Sequence, residues 1–180
     1  MNIEQHSYSG SSTILRNDDE DEYFALTAAH TLIHEGDYIA KKVTESNLTV
    51  GDIPAEVFKS DPAVDLALLR ILGDREYFKG KIAREVQEGQ PLISIGYPSD
   101  QPKTIFTGEL LDVQEKRWYA DLGLVSKGVS GSGVYAVIEG KIQMIGTIVT
   151  KHGEQQIGMV SLHDIRHFLE STPVEDEYCK

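Results

Sequence analysis

The sequence predicts an all-β domain on three observations: short apolar or alternating runs recur along it, Gly, Pro, Asn and Asp separate them, and no long helical pattern intervenes. The first half carries the runs Ser12 to Arg16, Tyr23 to Thr27, Tyr38 to Val43, Ile53 to Lys59 and Leu66 to Leu72. The second carries Leu92 to Ile95, Thr104 to Val113, Trp118 to Leu122, Val134 to Ile138, Ile142 to Thr150 and Ile157 to Val160. Strands of this length and spacing pair antiparallel and bury one face against another sheet, so a sandwich or a barrel follows. One helix is expected near the end. Ser161 can cap it, Asp164 stands three residues on, and Leu162, Ile165, Phe168 and Leu169 recur at helical spacing, an apolar face that should dock on the sheet.

A chain of 180 residues fits a single domain, 1–180, and at this size roughly 70% of the unfolded surface is buried on folding. With 40% hydrophobic and 26% charged residues and 16 glycines, the composition is that of a turn-rich globular protein. The formal charge of -12 repels polyanions, and no Lys/Arg cluster offsets it, so nucleic acid is not an expected partner. No stretch is long enough to span a membrane as a helix, and no membrane partner is expected. The single cysteine, Cys179, leaves no intrachain disulfide, which suits a reducing compartment. The segment Met1 to His6 has neither a basic start nor an apolar run, so the expected location is cytoplasmic, a trimmed export signal being the alternative. The acidic runs Asp18 to Glu22 and Glu175 to Glu177 read as a solvated hairpin loop and part of a tail, with calcium or a basic partner as the rival for the first.

Three segments carry chemistry, in the order His, Asp, Ser. Thr27-Ala28-Ala29-His30 ends an apolar strand, Asp65-Leu66-Ala67-Leu68-Leu69 opens another, and Gly128-Val129-Ser130-Gly131-Ser132-Gly133 is a glycine-rich loop. A serine hydroxyl is a poor nucleophile until an imidazole takes its proton, and a carboxylate holds that imidazole in the right tautomer. His30, Asp65 and Ser130 supply those roles. The small residues around Ser130 let the backbone N–H groups of Gly128 and Ser130 converge where an oxyanion would develop. Asp61 competes with Asp65, but Asp61-Pro62 reads as a turn. His30 and His34 have i, i+4 spacing, yet no Glu follows His30 and no third ligand is evident, so no metal is expected. The loop lacks the Lys-Ser/Thr ending of a phosphate-binding loop, and Ser132 stands where a nucleophile elbow needs its last glycine.

These three blocks resemble the histidine, aspartate and serine motifs of trypsin-like serine proteases, and within them the disulfide-free bacterial branch of Deg-type proteases and glutamyl endopeptidases. The resemblance spans most of the chain, with Ile95-Gly96-Tyr97-Pro98 and Ile145-Gly146-Thr147 at strands such proteins share. It implies a chymotrypsin-like fold of two antiparallel six-stranded β-barrels with a C-terminal helix: an N-terminal barrel over about 1–85, a C-terminal barrel and helix over about 90–172, and a tail at 173–180. It implies a serine endopeptidase working through an acyl-enzyme, with no cofactor, peptide or protein substrates, and a possible regulatory partner. A protease-like binding module with a misaligned triad is the alternative. By the same resemblance the substrate pocket falls to Leu124, Val149, Lys151 and His152, and Leu124 at the pocket base disfavours Arg or Lys at P1. Val129 stands where trypsin has an acid, and no Ile-Val-Gly-Gly start is present, so trypsin's route of activation is absent. Val149 stands where the family often places a hydroxyl that supports the aspartate; Thr147 and Thr150 are close by.

Overall fold

In the computed structural model of the chain, residues 10–32, 48–98, 102–114, 117–123, 125, 128–153 and 155–180 are described. The first half folds as an antiparallel sheet of β1 (Thr13–Asn17), β2 (Glu22–Thr27), β3 (Thr49–Val50), β4 (Ile53–Asp61) and β5 (Leu66–Ile71), in the order β1-β2-β5-β4-β3. Side chains alternate across it. Phe24, Leu26, Leu66 and Leu68 enter the large core shared with the second half, whereas Ala25, Ala67, Leu69 and Ile71 fill a separate core of this sheet. The two central strands therefore read as continuous apolar runs. The expected strand Tyr38 to Val43 lies outside the described residues. Between β1 and β2 the acids turn back on Arg16, whose guanidinium pairs with Asp18 at 2.5 Å and Asp21 at 2.7 Å. Their partner is a cation within the hairpin.

The second half closes on itself. Strands β7 (Pro91–Gly96), β8 (Thr104–Val113), β9 (Trp118–Asp121), β10 (Gly133–Ile138), β11 (Lys141–His152) and β12 (Gln156–Ser161) run in the order β10-β7-β8-β9-β12-β11, and β11 pairs back on β10. Closure removes free edges and gives a six-stranded barrel. A two-residue strand, β6 (Lys81–Ile82), adds in parallel to β11, so the chain has joined the second sheet by Lys81.

Helix α1 (Leu162–Phe168) starts where expected: Asp164 N–H donates to Ser161 Oγ at 3.3 Å, and Leu162, Ile165 and Phe168 are buried. The tail reading of 173–180 needs correction. Glu175 to Glu177 form the first turn of a short helix, α2 (Glu175–Cys179), where three carboxylates suit the positive end of the helix dipole. Tyr178 of this helix is buried; its hydroxyl accepts from Arg16 N–H at 2.9 Å and donates to the Phe78 carbonyl at 2.7 Å. Arg166 of α1 bonds the carbonyl of Ile82 at 3.0 Å and that of Cys179, and Lys81 bonds that of Glu177.

One apolar core, from Leu15 and Phe24 to Ile157 and Leu162, runs through both halves, and polar links span the seam. Thr13 Oγ1 and Tyr135 Oη lie 2.8 Å apart, and Lys59 Nζ donates to the Phe168 carbonyl at 2.5 Å. Burial pushes the phenols of Tyr135 and Tyr178 up to about 12 from the ordinary 10. In the folded state these phenols are favoured neutral, so between pH 10 and about 12 the unfolded chain holds fewer protons and stability falls as pH rises. Denaturant melts should lose stability as pH rises from 10 to about 12, and Tyr135→Phe should flatten part of that loss. A melt insensitive to pH across that window would contradict it.

Candidate active site

The segment after β2 cannot continue as strand because Ala28 to Thr31 tighten into a single 3-10 turn, closed by Thr31 Oγ1 on the Ala28 carbonyl at 2.7 Å. The turn buries Ala29 and leaves His30 exposed. Asp65 ends the β4–β5 connection with φ 64, in the left-handed region. That conformation costs roughly 1–2 kcal/mol for most residues and is best tolerated by Asn and Asp. Its surroundings hold it there. The Asp65 carbonyl accepts from Ala29 N–H at 3.1 Å, Oδ1 accepts from His30 N–H at 2.8 Å, and Oδ2 lies 2.7 Å from His30 Nδ1. An ionised carboxylate can only accept, so this contact puts the ring proton on Nδ1 and leaves the Nε2 lone pair free. Asp61 is occupied elsewhere, accepting from Ala63 N–H at 3.0 Å within the turn.

Ser130 sits on the loop between β9 and β10, fastened on both sides. Gly131 N–H donates to Ile148 O at 2.7 Å, Ile148 N–H to Ser132 O at 2.9 Å, and Ser11 N–H to Ser130 O at 2.8 Å. The loop meets the histidine turn at Gly10, where a Cβ would stand 2.8 Å from the Thr31 methyl and 3.1 Å from Ser130 O. Ser130 is thereby brought beside the residue that follows His30. Ser130 Oγ and His30 Nε2 are not hydrogen bonded to each other, a contact that in free enzymes often tightens only around substrate. Among the described residues no carbonyl accepts from the N–H of Gly128 or Ser130. These two N–H groups are the ones the sequence marks as oxyanion donors. Val129 between them is buried in the core, where an acid would lack a partner.

Support for Asp65 comes from His30 alone among the described side chains. Val149 is buried and apolar, Thr147 Oγ1 is buried without a partner, and Thr150 Oγ1 lies 3.1 Å from His152 Nε2. The expected pocket residues do not all converge. Val149 sits at a register shift of β11; Thr150 and His152 share one face, where the His152 ring meets Tyr119 edge-on at 5.2 Å, and Lys151 alternates to the other. A Cβ at Gly158 would lie 3.4 Å from His152 Nε2 and from Arg117 Cγ. Leu124 and His34 lie outside the described residues. The sequence reading missed Ser11, buried and bonded to the nucleophile loop; only the small residues Gly10-Ser11-Ser12 before β1 hinted at a close approach.

Residues 10–146 match the sequence profile of the trypsin-like peptidase domain. The chain belongs to the trypsin-like peptidase family. This peptidase is a serine endopeptidase by class, a hydrolase whose substrates are peptides or proteins. Its fold is shared with a solved Rv3671c protease from M. tuberculosis in its active form, at TM-score 0.67 and 17% identity over 89% of this chain and 71% of that one. The serine endoprotease from Yersinia pestis matches at TM-score 0.69 and 17% identity over 98% of this chain, which spans 62% of that protein's length. Among curated protein sequences no significant match is found.

Proposed function

We propose that this trypsin-like peptidase cleaves peptide bonds through an acyl-enzyme on Ser130, with His30 as general base and acid and Asp65 as its orienting carboxylate. The observation that carries this reading is the pair of hydrogen bonds that Asp65 accepts from the backbone and ring of His30, beside the Ser130 loop. As Ser130 Oγ attacks the scissile carbonyl carbon, its proton passes to His30 Nε2 and the carbonyl oxygen becomes an oxyanion facing Gly128 and Ser130 N–H. His30 returns the proton to the leaving amine as the C–N bond breaks. Water then attacks the ester as His30 takes its proton, and His30 returns that proton to Ser130 Oγ as the Oγ–acyl bond breaks, releasing the acid product and restoring the free hydroxyl.

The unmade Ser130–His30 hydrogen bond favours one rival, a binding module whose triad needs a regulatory partner for alignment. A fluorophosphonate probe separates the two. The purified chain should be labelled at Ser130 and Ser130→Ala should not; an intact, folded, unlabelled chain would support the module.

For substrates, we propose that Arg or Lys at P1 is poor and a small or medium apolar side chain is preferred, because Leu124 stands six residues before Ser130, where the family resemblance puts the acid that would pair with a buried cation. An acidic P1 is the second reading, supported by His152 and Thr150 on one face beside Gly158. Cleavage of a peptide library should favour apolar or acidic P1 over Arg or Lys by roughly tenfold or more, the scale of one unpaired buried charge. Dominance of Arg or Lys would contradict both.

A further inference from the structure

Ser11 lies just ahead of β1 and is 4% exposed, yet it makes four hydrogen bonds to segments far from it in sequence. Its N–H donates to Ser130 O at 2.8 Å and its hydroxyl to Gly128 O at 2.8 Å. The same hydroxyl accepts from Tyr97 N–H at 2.9 Å, and the Ser11 carbonyl accepts from Thr27 Oγ1 at 2.7 Å. Thr27 ends the strand that leads to His30, Gly128 and Ser130 flank the nucleophile loop, and Tyr97 follows β7 of the closed barrel. A single residue thus ties the base-bearing sheet, the nucleophile loop and the barrel wall together.

We infer that Ser11 is a positioning residue for the oxyanion donors, an inference that rests on the reading of Gly128 and Ser130 N–H as those donors. Gly128 has no Cβ to restrict it, so its peptide planes turn over at little cost unless something holds them. The Ser11 hydroxyl holds the Gly128 carbonyl, and with it the 128–129 peptide plane between the two donor planes; the Ser11 N–H holds the Ser130 carbonyl and the 130–131 plane after them, so each donor N–H projects from a plane hinged to one that Ser11 fixes. The hydroxyl is used as donor and acceptor at once, so an apolar replacement leaves both Gly128 O and Tyr97 N–H without partners. The carbonyl link to Thr27 sets the same loop at a fixed height against the His30 turn.

The test is inactivation kinetics with a fluorophosphonate, whose phosphoryl oxygen occupies the position of the oxyanion as Ser130 Oγ displaces fluoride from phosphorus and His30 takes the hydroxyl proton. In Ser11→Ala the maximal inactivation rate should fall roughly ten- to a hundredfold, less than the loss on deleting a donor outright, with the probe's dissociation constant changed by less than about threefold. Ser11→Thr keeps the hydroxyl and should recover most of that rate. Ser11→Cys keeps the volume with a weak donor and should also be slow, which covers the case in which Ser11→Ala does not fold. A folded Ser11→Ala or Ser11→Cys that reacts at the wild-type maximal rate overturns the inference while Ser130→Ala stays unlabelled. Loss explained wholly by the melted fraction at the assay temperature overturns it too. Labelling of Ser130→Ala at the wild-type rate would instead remove the nucleophile assignment, a separate failure.

Discussion

Ser130→Ala and His30→Ala should each lower kcat by on the order of a millionfold, and Asp65→Asn by on the order of ten-thousandfold, while the variants melt near the wild-type temperature. The three act as a unit, so the double variants should lose little more than the worst single one. Asn is the informative replacement at position 65 because it tolerates the left-handed backbone there and its carbonyl can still accept from His30 N–H. Its amide group would then face Nδ1 and drive the ring proton to Nε2, removing the base without moving the ring. Alanine would confuse chemistry with backbone strain. Near-wild-type peptidase activity in well-folded Ser130→Ala would end the assignment.

Gly131→Ala should be the most damaging change of a single methyl group near the site. Gly131 has φ 92, and a Cβ there would fall inside the van der Waals shells of Ser11 O and Thr27 Oγ1. Backbone must move, because one of the obstacles is a carbonyl and the other is bonded to it. We expect a loss of about 3 kcal/mol or more, which for a domain of this size lowers Tm by roughly 6–12 °C. Gly140→Ala is the control: its φ is 77, but its Cβ would meet open space, so it should show only the strain, about 1–2 kcal/mol. Activity should fall further than stability in Gly131→Ala, since the displaced loop carries Ser130. Equal melting of the two variants would show that the steric argument is wrong.

The parts of this architecture that announce themselves in sequence are those built from contiguous residues. The strands of both sheets show as apolar runs because each side chain's fate is set by parity along its own strand. The helix α1 shows through Ser161, Asp164 and four apolar positions at one spacing. His30, Asp65 and Ser130 stand out because each lies in a local block of small or apolar residues, and the first two meet in the structure. What does not show is assembled across the chain. Ser11 joins Gly128 over 117 positions through an ordinary hydroxyl, marked only by the small residues on either side of it. β3 and β6 are two residues long, too short for any period to register. α2 spans barely more than one turn, and its acids disguise a helix start as a solvated tail; only Tyr178, facing the core, separates the two. Lys151 and His152 share a segment but not a face, a distinction that register in the folded strand decides.

The Tyr178 bridge has a consequence for the order in which this molecule comes into being. Its hydroxyl completes the valences of Arg16 and Phe78 across 162 and 100 positions. Contacts of such span require large loops to close before they return any free energy, so folding dominated by them is slow. During synthesis the first sheet must wait, with the Arg16 amide and the Phe78 carbonyl still unanswered, until residue 178 has arrived. Ser11 waits likewise on residues 128 and 130, and the His30 turn has no Ser130 loop beside it until then. On the proposed assignment of Ser130 and His30, proteolytic competence is therefore a late event in the life of the chain.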